Sequence, residues 1–277
     1  MRLDAHQHFW ALDRGDYGWL TLDLEPIYRD FGPIDLTPYL DRFGIEGTIL
    51  VQAAPTVAET RYMLDLADEN DFIKGVVGWV DFEAAEAPNQ IADLARNLKL
   101  VGLRPMIQDI EDPDWMLRPD LVPAYKALIE HDLVFDALTL PQHLPNLLKI
   151  ADRHPDMRIV VDHGSKPHIA DGRMNGWAEG MAAIARETSA FCKLSGLVTE
   201  AGSDWTTETL RPYVSQLLDT FGPGRLIWGS DWPVCTLACS YEDWIGITDA
   251  LLSDLDEAER QAVLGGNAER VYLKRAD

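Results

Sequence analysis

Four side chains in this sequence are of the types that move protons or bind metal ions. The segment LDAHQHFW, residues 3–10, contains His6 and His8 two positions apart. His163 occurs in VVDHG, and Asp231 occurs in WGSDWPV. Imidazoles and carboxylates act as general acids and bases, and the same groups are ligands of Zn²⁺. The pattern therefore indicates either a proton-transfer site or a metal site.

The elements that would position these side chains are eight apolar runs that alternate with helical patterns. Most of the runs are rich in Val, Ile and Leu, which is typical of parallel strands covered on both faces. They lie at 2–9, 47–54, 73–80, 99–106, 132–139, 157–164, 190–197 and 225–232. This count and alternation predict an α/β fold, a single (β/α)8 TIM barrel over residues 1–277. A doubly wound open sheet is the competing fold, but no Gly-rich dinucleotide fingerprint follows the first run.

The barrel prediction also says where functional side chains belong. Apolar residues at helical spacing fill intervals between the runs, most clearly at 60–71, 144–155, 209–223 and 255–273. Two consecutive glycines break the last of these patterns. In such a barrel the functional groups lie at the C-terminal ends of the strands. Because residues i and i+2 of a strand share a face, we expect His6 and His8 to point into the mouth together.

Other polar and aromatic side chains at the predicted strand ends suit contacts with a substrate. Arg104 lies near the end of the fourth run, where its planar fork can hold a carboxylate or a hydroxyl group. Segment 165–180 follows His163, and its Gly and Pro content indicates a mobile loop beside the site. Tryptophan rings after strand ends can provide platforms for a sugar ring. The predicted substrate contacts are Gln52, Trp79, Asp136, Lys166, Arg173, Trp177, Ser195 and Trp232.

The charge of the chain limits its partners. It has 46 acidic and 24 basic side chains among 277 residues, a formal net charge of −22. Such a surface repels phosphate backbones and anionic lipids, so we expect neither nucleic acid nor a membrane as partner. The sequence has no apolar run of about 18 residues and no secretory signal pattern. Three cysteines without metal-like spacing suit a reducing compartment, and we expect a cytoplasmic protein.

Several motifs, taken in order along the chain, carry a resemblance to a known family. They are LDAHQHFW, GLRPM, VVDHGSKP, CKLSGL, GSDWPV and GGNAERVY. Together they resemble the amidohydrolase superfamily, in its branch related to aminocarboxymuconate semialdehyde decarboxylase. Within that branch they look closest to the sugar-lactone hydrolases of the L-fuconolactonase and L-rhamnonolactonase group. The resemblance implies a TIM barrel that opens a small sugar-acid lactone.

The chain departs from the metal-dependent members of that superfamily at two strand ends. Those members usually have a histidine ligand on strand five, and two-metal enzymes have a bridging lysine or glutamate on strand four. Here the corresponding residues are Asp136 and Arg104. Arginine has no lone pair to offer a metal and would repel one. We therefore expect no required cofactor, although one Zn²⁺ held by His6, His8 and Asp231 stays compatible with the donor types.

The resulting hypothesis is a lactonase in which Asp231 is the general base that deprotonates water. The side chains expected to polarise the ring carbonyl and stabilise the oxyanion are His6, His8, His163 and Arg104. The alternative is a Zn-dependent decarboxylase, or another metal-dependent amidohydrolase, that acts on a small carboxylic acid. A third interpretation, a barrel retained for sugar binding, is not favoured by the complete set of three histidines and an aspartate. The oligomeric state is open, and a homo-oligomer is compatible with the sequence.

Overall fold

Eight parallel strands form the centre of the computed structural model, which describes residues 1–273. Each strand pairs with the next along the chain, in the order β1 to β8. The strands are β1 Leu3–Gln7, β2 Gly47–Val51, β3 Ile73–Gly78, β4 Leu100–Leu103, β5 Val134–Ala137, β6 Ile159–Val161, β7 Phe191–Leu194 and β8 Leu226–Trp228. All eight lie inside the predicted runs, and the (β/α)8 barrel is confirmed. Residues 274–277, which the predicted domain includes, lie outside the described residues.

The ring of strands closes between β1 and the residues that follow β8. Asp231 donates its backbone N–H to the carbonyl of His6 at 2.7 Å, and His8 donates to the carbonyl of Trp232 at 2.7 Å. The buried carboxylate of Asp4 accepts the backbone N–H of His6 at 3.2 Å. The closure therefore places the predicted histidines of β1 beside the predicted aspartate.

Nine α-helices within residues 1–273 lie between the strands or follow the last one. They are α1 Pro33–Phe43, α2 Val57–Glu69, α3 Ala87–Leu94, α4 Val122–Glu130, α5 Leu144–Arg153, α6 Trp177–Glu187, α7 Thr207–Phe221, α8 Tyr241–Leu251 and α9 Glu257–Gln261. Helix α2 begins where the Thr56 hydroxyl accepts the N–H of Glu59 at 3.0 Å, which satisfies one of its free donors. In this part of the chain no helix is long and apolar enough to cross a bilayer.

The lower end of the barrel is filled by the chain that follows α9. This chain forms two wide helical turns, Ala262–Gly266 and Glu269–Leu273, separated near the predicted glycine break. Tyr272 packs with inward-facing strand residues in an inner core. Gly265 lies against the start of β1, where an added Cβ would be 2.2 Å from the carbonyl oxygen of Met1. These contacts close the interior of the barrel at the N-terminal ends of the strands.

Candidate active site

Asp231 follows β8 at the upper end of the barrel, and three imidazole rings face one of its oxygens. Its Oδ1 atom lies 3.3 Å from Nε2 of His8, 3.6 Å from Nε2 of His6 and 3.8 Å from Nε2 of His163. All four side chains are buried. The structure thus brings together the four residues that the sequence singled out.

The charge state of Asp231 follows from these neighbours. Burial acts to raise its pKa, but the imidazoles of His163, His8 and His6 outweigh burial and hold the pKa below its usual value. Burial lowers the pKa of His163 to about 4, although Asp231 and Asp162 act in the other direction. At neutral pH the site therefore contains a carboxylate beside an uncharged His163 ring.

One ring nitrogen of His8 is committed to the backbone. Its Nδ1 lies 2.7 Å from the carbonyl oxygen of Val51, and because a carbonyl only accepts, Nδ1 carries a proton. In a neutral ring, Nε2 then presents a lone pair to Asp231 Oδ1. His8 and Asp231 are therefore arranged to take up and share one proton.

His163 reaches the site because the chain turns sharply after β6. Strand alternation puts Asp162 on the inward face, together with Val160. By the same alternation His163 would lie on the outward face. Residues 163–166 all have positive φ, 51° at His163, and this left-handed turn brings its ring inward as well. The ring is then held by Ser195, whose Oγ lies 2.9 Å from Nδ1.

The glycine after Ser195 gives the His163 ring its space. Gly196 has a φ of +63°, and an added Cβ would lie 2.4 Å from His163 Nδ1. We expect Gly196→Ala to displace the ring and to lower kcat by about 100-fold, the order of loss that a misplacement of about 1 Å causes. The matched control is Gly44→Ala, since Gly44 has a φ of +62° with nothing within 4 Å. Both variants should lose some thermal stability, and equal loss of activity in both would contradict a role for the ring's position.

Arg104 follows β4 and is held by buried acceptors. Its Nη2 donates to the backbone oxygen of Gln52 and, at 2.7 Å, to the side-chain oxygen of the same residue. Its Nη1 lies 3.3 Å from Asp162 Oδ2 and 3.3 Å from His6 Nε2. Asp162 was not among the predicted site residues, although it shares the inward face of β6 with Val160, a member of the inner core.

A buried lysine lies beneath His6, between two carboxylates. The Nζ atom of Lys193, on β7, lies 2.6 Å from Asp136 Oδ2 and 3.0 Å from Asp162 Oδ1. Asp136 also accepts the hydroxyl of Tyr272 at 2.8 Å. Burial raises the pKa of Asp136 to about 6 even though Lys193 acts to lower it. Asp136 is therefore held by protein groups inside the barrel.

A cavity of about 230 Å³ opens above Asp231. Its polar wall includes His8, Arg104, His163 and Lys166. Trp19, which the sequence analysis missed, belongs to the long connection from β1 to α1 and also lines the cavity. No pattern around Trp19 indicates this place, because it depends on the path of an irregular segment. The volume suits a small ligand of about one ring.

Several predicted substrate contacts lie outside this wall. Among the described residues they are Gln52, Trp79, Asp136, Arg173, Trp177, Ser195 and Trp232. Trp177 is only 1% exposed and donates its indole N–H to the carbonyl of Gly164 at 2.6 Å. Arg173 is exposed and pairs with Asp171, whereas Trp79 lines a neighbouring cavity. Contact with substrate stays a prediction for each of the seven.

The ligand atoms in the cluster are close enough for one metal ion. One atom each of His6, His163 and Asp231 lie within 4.8 Å of one another. Tetrahedral ligands of Zn²⁺ at about 2 Å would be a little over 3 Å apart. The spacing alone therefore permits a single divalent ion at Asp231.

Comparison with known proteins finds relatives over nearly the whole chain. A protein of Burkholderia ambifaria named L-fucono-1,5-lactonase is 48% identical, and the match covers 98% of this chain and 95% of that protein. Another protein named L-fucono-1,5-lactonase, from Burkholderia multivorans, is 35% identical, and the match covers 98% of this chain and 96% of that protein. A crystal structure of an amidohydrolase from Burkholderia multivorans, which contains bound zinc, superposes with a TM-score of 0.94. Its sequence is 34% identical, and the match covers 99% of this chain and 100% of that chain. The amidohydrolase family model matches residues 3–274, and this chain belongs to that family.

Proposed function

We propose that the protein hydrolyses a sugar-acid lactone, with L-fucono-1,5-lactone as the first substrate to test and L-rhamnonolactone as the second. The observation that carries the proposal is the carboxylate of Asp231 in a cavity of about one ring's size, faced by three imidazoles. The two Burkholderia relatives named L-fucono-1,5-lactonase support this substrate class.

Asp231 is the general base of the proposed reaction. Because its pKa is held below the usual value, it is ionised at neutral pH and accepts a proton from water. The hydroxide so formed attacks the lactone carbonyl. His8 Nε2, 3.3 Å from Asp231 Oδ1, shares the proton while the tetrahedral intermediate exists. The ring C–O bond then breaks, and the proton passes to the leaving ring oxygen to give a hydroxy acid.

Arg104 stabilises the negative oxygen that develops during the attack. Its guanidinium lines the cavity, and Gln52 and Asp162 hold it in place before the substrate arrives. Such preorganised donors contribute more to acyl transfer than flexible ones, since they need no reorganisation. Lys166 lines the same cavity and is placed to contact a sugar hydroxyl. Its ammonium group lies 3.4 Å from the carboxylate of Glu200.

Zinc is the cofactor that the family relationship implies, and the hydrogen bonding of His6 does not fit it. A metal ligand must direct a nitrogen lone pair at the ion. His6 Nδ1 lies 3.3 Å from Nζ of Lys193, and His6 Nε2 lies 3.3 Å from Nη1 of Arg104. One ring nitrogen therefore faces the ammonium group of Lys193 and the other faces the guanidinium of Arg104, and both cations repel a metal ion. We propose that the chain's own groups carry out the reaction.

A panel of aldonolactones, followed with a pH indicator against the spontaneous rate, tests the proposed function. We expect the protein to accelerate hydrolysis of six- or five-membered lactones of 6-deoxy sugar acids. The indicator reports this reaction because ring opening releases a proton. Carbon dioxide release from small aromatic or dienoic acids is measured on the same protein. Decarboxylation without lactone opening would favour the metal-dependent alternative, and binding of the lactone without turnover would favour a sugar-binding protein.

A further inference from the structure

Three buried atoms lie around the ammonium group of Lys193. Its Nζ lies 2.6 Å from Asp136 Oδ2, 3.0 Å from Asp162 Oδ1 and 3.3 Å from His6 Nδ1. The side chain has no exposed surface. An ammonium group has three donors and no acceptor. Lys193 hydrogen-bonds to Asp136 and to Nδ1 of His6, whereas Asp162 Oδ1 is an ion-pair partner that has no hydrogen bond among the described residues. Because Lys193 can only donate, Nδ1 of His6 accepts through a lone pair.

The position of the proton on His6 follows from this contact. A doubly protonated ring would have no lone pair to accept from Lys193, so His6 is neutral in this arrangement. A neutral imidazole carries one proton, and if Nδ1 accepts, the proton lies on Nε2. Nε2 is 3.6 Å from Asp231 Oδ1, the oxygen that the proposed mechanism uses as base.

The same arrangement determines what Arg104 can do. Its Nη1 lies 3.3 Å from His6 Nε2, and a protonated Nε2 cannot accept a hydrogen bond. One hydrogen of Nη1 is used by Asp162 Oδ2, also at 3.3 Å. The second remains available to a substrate oxygen in the cavity, which Arg104 lines.

We propose that Lys193 is a positioning residue that holds the proton of His6 on Nε2, so that His6 donates toward Asp231 and leaves an N–H of Arg104 for the substrate. The catalytic consequence rests on the proposed function, but the position of the proton does not. Lys193 and His6 have no surface in the cavity and act through Asp231 and Arg104.

Nitrogen-15 NMR of histidine-labelled protein measures the proton's position directly. The chain has seven histidines, and the His6 ring signals are assigned by their loss in His6→Gln. We expect His6 of the wild-type protein to be neutral, with a proton on Nε2 and a bare Nδ1. A proton on Nδ1 would overturn the proposal, whether or not the protein hydrolyses any lactone.

Replacing Lys193 tests whether it is the cause. In Lys193→Met we expect the proton to move to Nδ1, which then faces Asp162 Oδ1 at 3.7 Å. This variant leaves two buried carboxylates without their cation and can therefore be unstable. The second variant, Lys193→Met/Asp136→Asn, removes one charge of each sign. An Nε2 proton that persists in both would overturn the proposal. Should neither variant fold, the wild-type spectrum alone decides it.

The kinetic readout separates positioning from general stability. We expect the Lys193 variants to lower kcat for lactone hydrolysis by up to about 100-fold, the order of loss that misplaced catalytic groups cause. KM should change little, since Lys193 does not touch the cavity. The control is Lys149→Met on α5, where the ammonium contacts only Asn146 at 3.0 Å among the hydrogen bonds described. A loss of thermal stability with unchanged kcat and proton position would show a structural role only, and would overturn the proposal.

Discussion

Asp231→Asn is expected to lower kcat for lactone hydrolysis by at least about 100-fold. The amide keeps the shape of the side chain and an acceptor oxygen but cannot take a proton from water, and general-base catalysis is typically worth about 10²- to 10⁴-fold. Substrate affinity should be largely preserved, because Arg104 and Lys166 are untouched. Steady-state rates with the best lactone of the panel give the comparison.

The pH dependence provides the control for this result. The wild-type rate should fall in acid as Asp231 becomes protonated, and because its pKa is lowered, that fall should lie below the usual carboxyl value of about 4. The variant should lack this acid limb. Asp219→Asn, on the exposed side of α7, should behave as the wild type. Near-normal kcat in Asp231→Asn would remove Asp231 from the mechanism and direct the search for the base to His163 or Asp136.

Arg104→Ala is expected to reduce both rate and binding. Losing one preorganised oxyanion donor costs about 10²- to 10³-fold in kcat, and the same fork should hold the ground-state substrate, so KM should rise. An interaction present in both states changes both constants. The control is Arg211→Ala, since Arg211 is half-buried on α7, away from the cavity, and pairs with Glu208. A rise in KM with unchanged kcat would limit Arg104 to binding.

The strands were predictable because each is an apolar run between polar turns. Their ends were less so, and β6 shows why. The predicted run covers residues 157–164, but the observed strand ends at Val161. After it the chain enters the left-handed turn that includes His163. Non-glycine residues adopt positive φ only when the surrounding structure compensates. Alternation along a strand cannot anticipate such a turn.

The site was predictable as a set of residue types and only partly as a set of contacts. Motif order identified His6, His8, His163 and Asp231, which the structure brings together. The pairing of Lys193 with Asp136 joins residues 57 positions apart, and only closure of the barrel reveals it. Trp177 is of a residue type that suits a sugar platform, but the residue is 1% exposed, packs in the core and donates its indole N–H to the carbonyl of Gly164. Composition does not distinguish these two uses of an aromatic ring.

The central claim is that the chain's own groups, with Asp231 as base, open a sugar lactone. The most direct test is the rate of lactone hydrolysis by wild-type protein that has been treated with a chelator and shown by elemental analysis to lack metal. The account predicts turnover close to that of the untreated protein, and no comparable turnover by Asp231→Asn under the same conditions. Loss of turnover on chelation, with recovery on adding Zn²⁺, would contradict it.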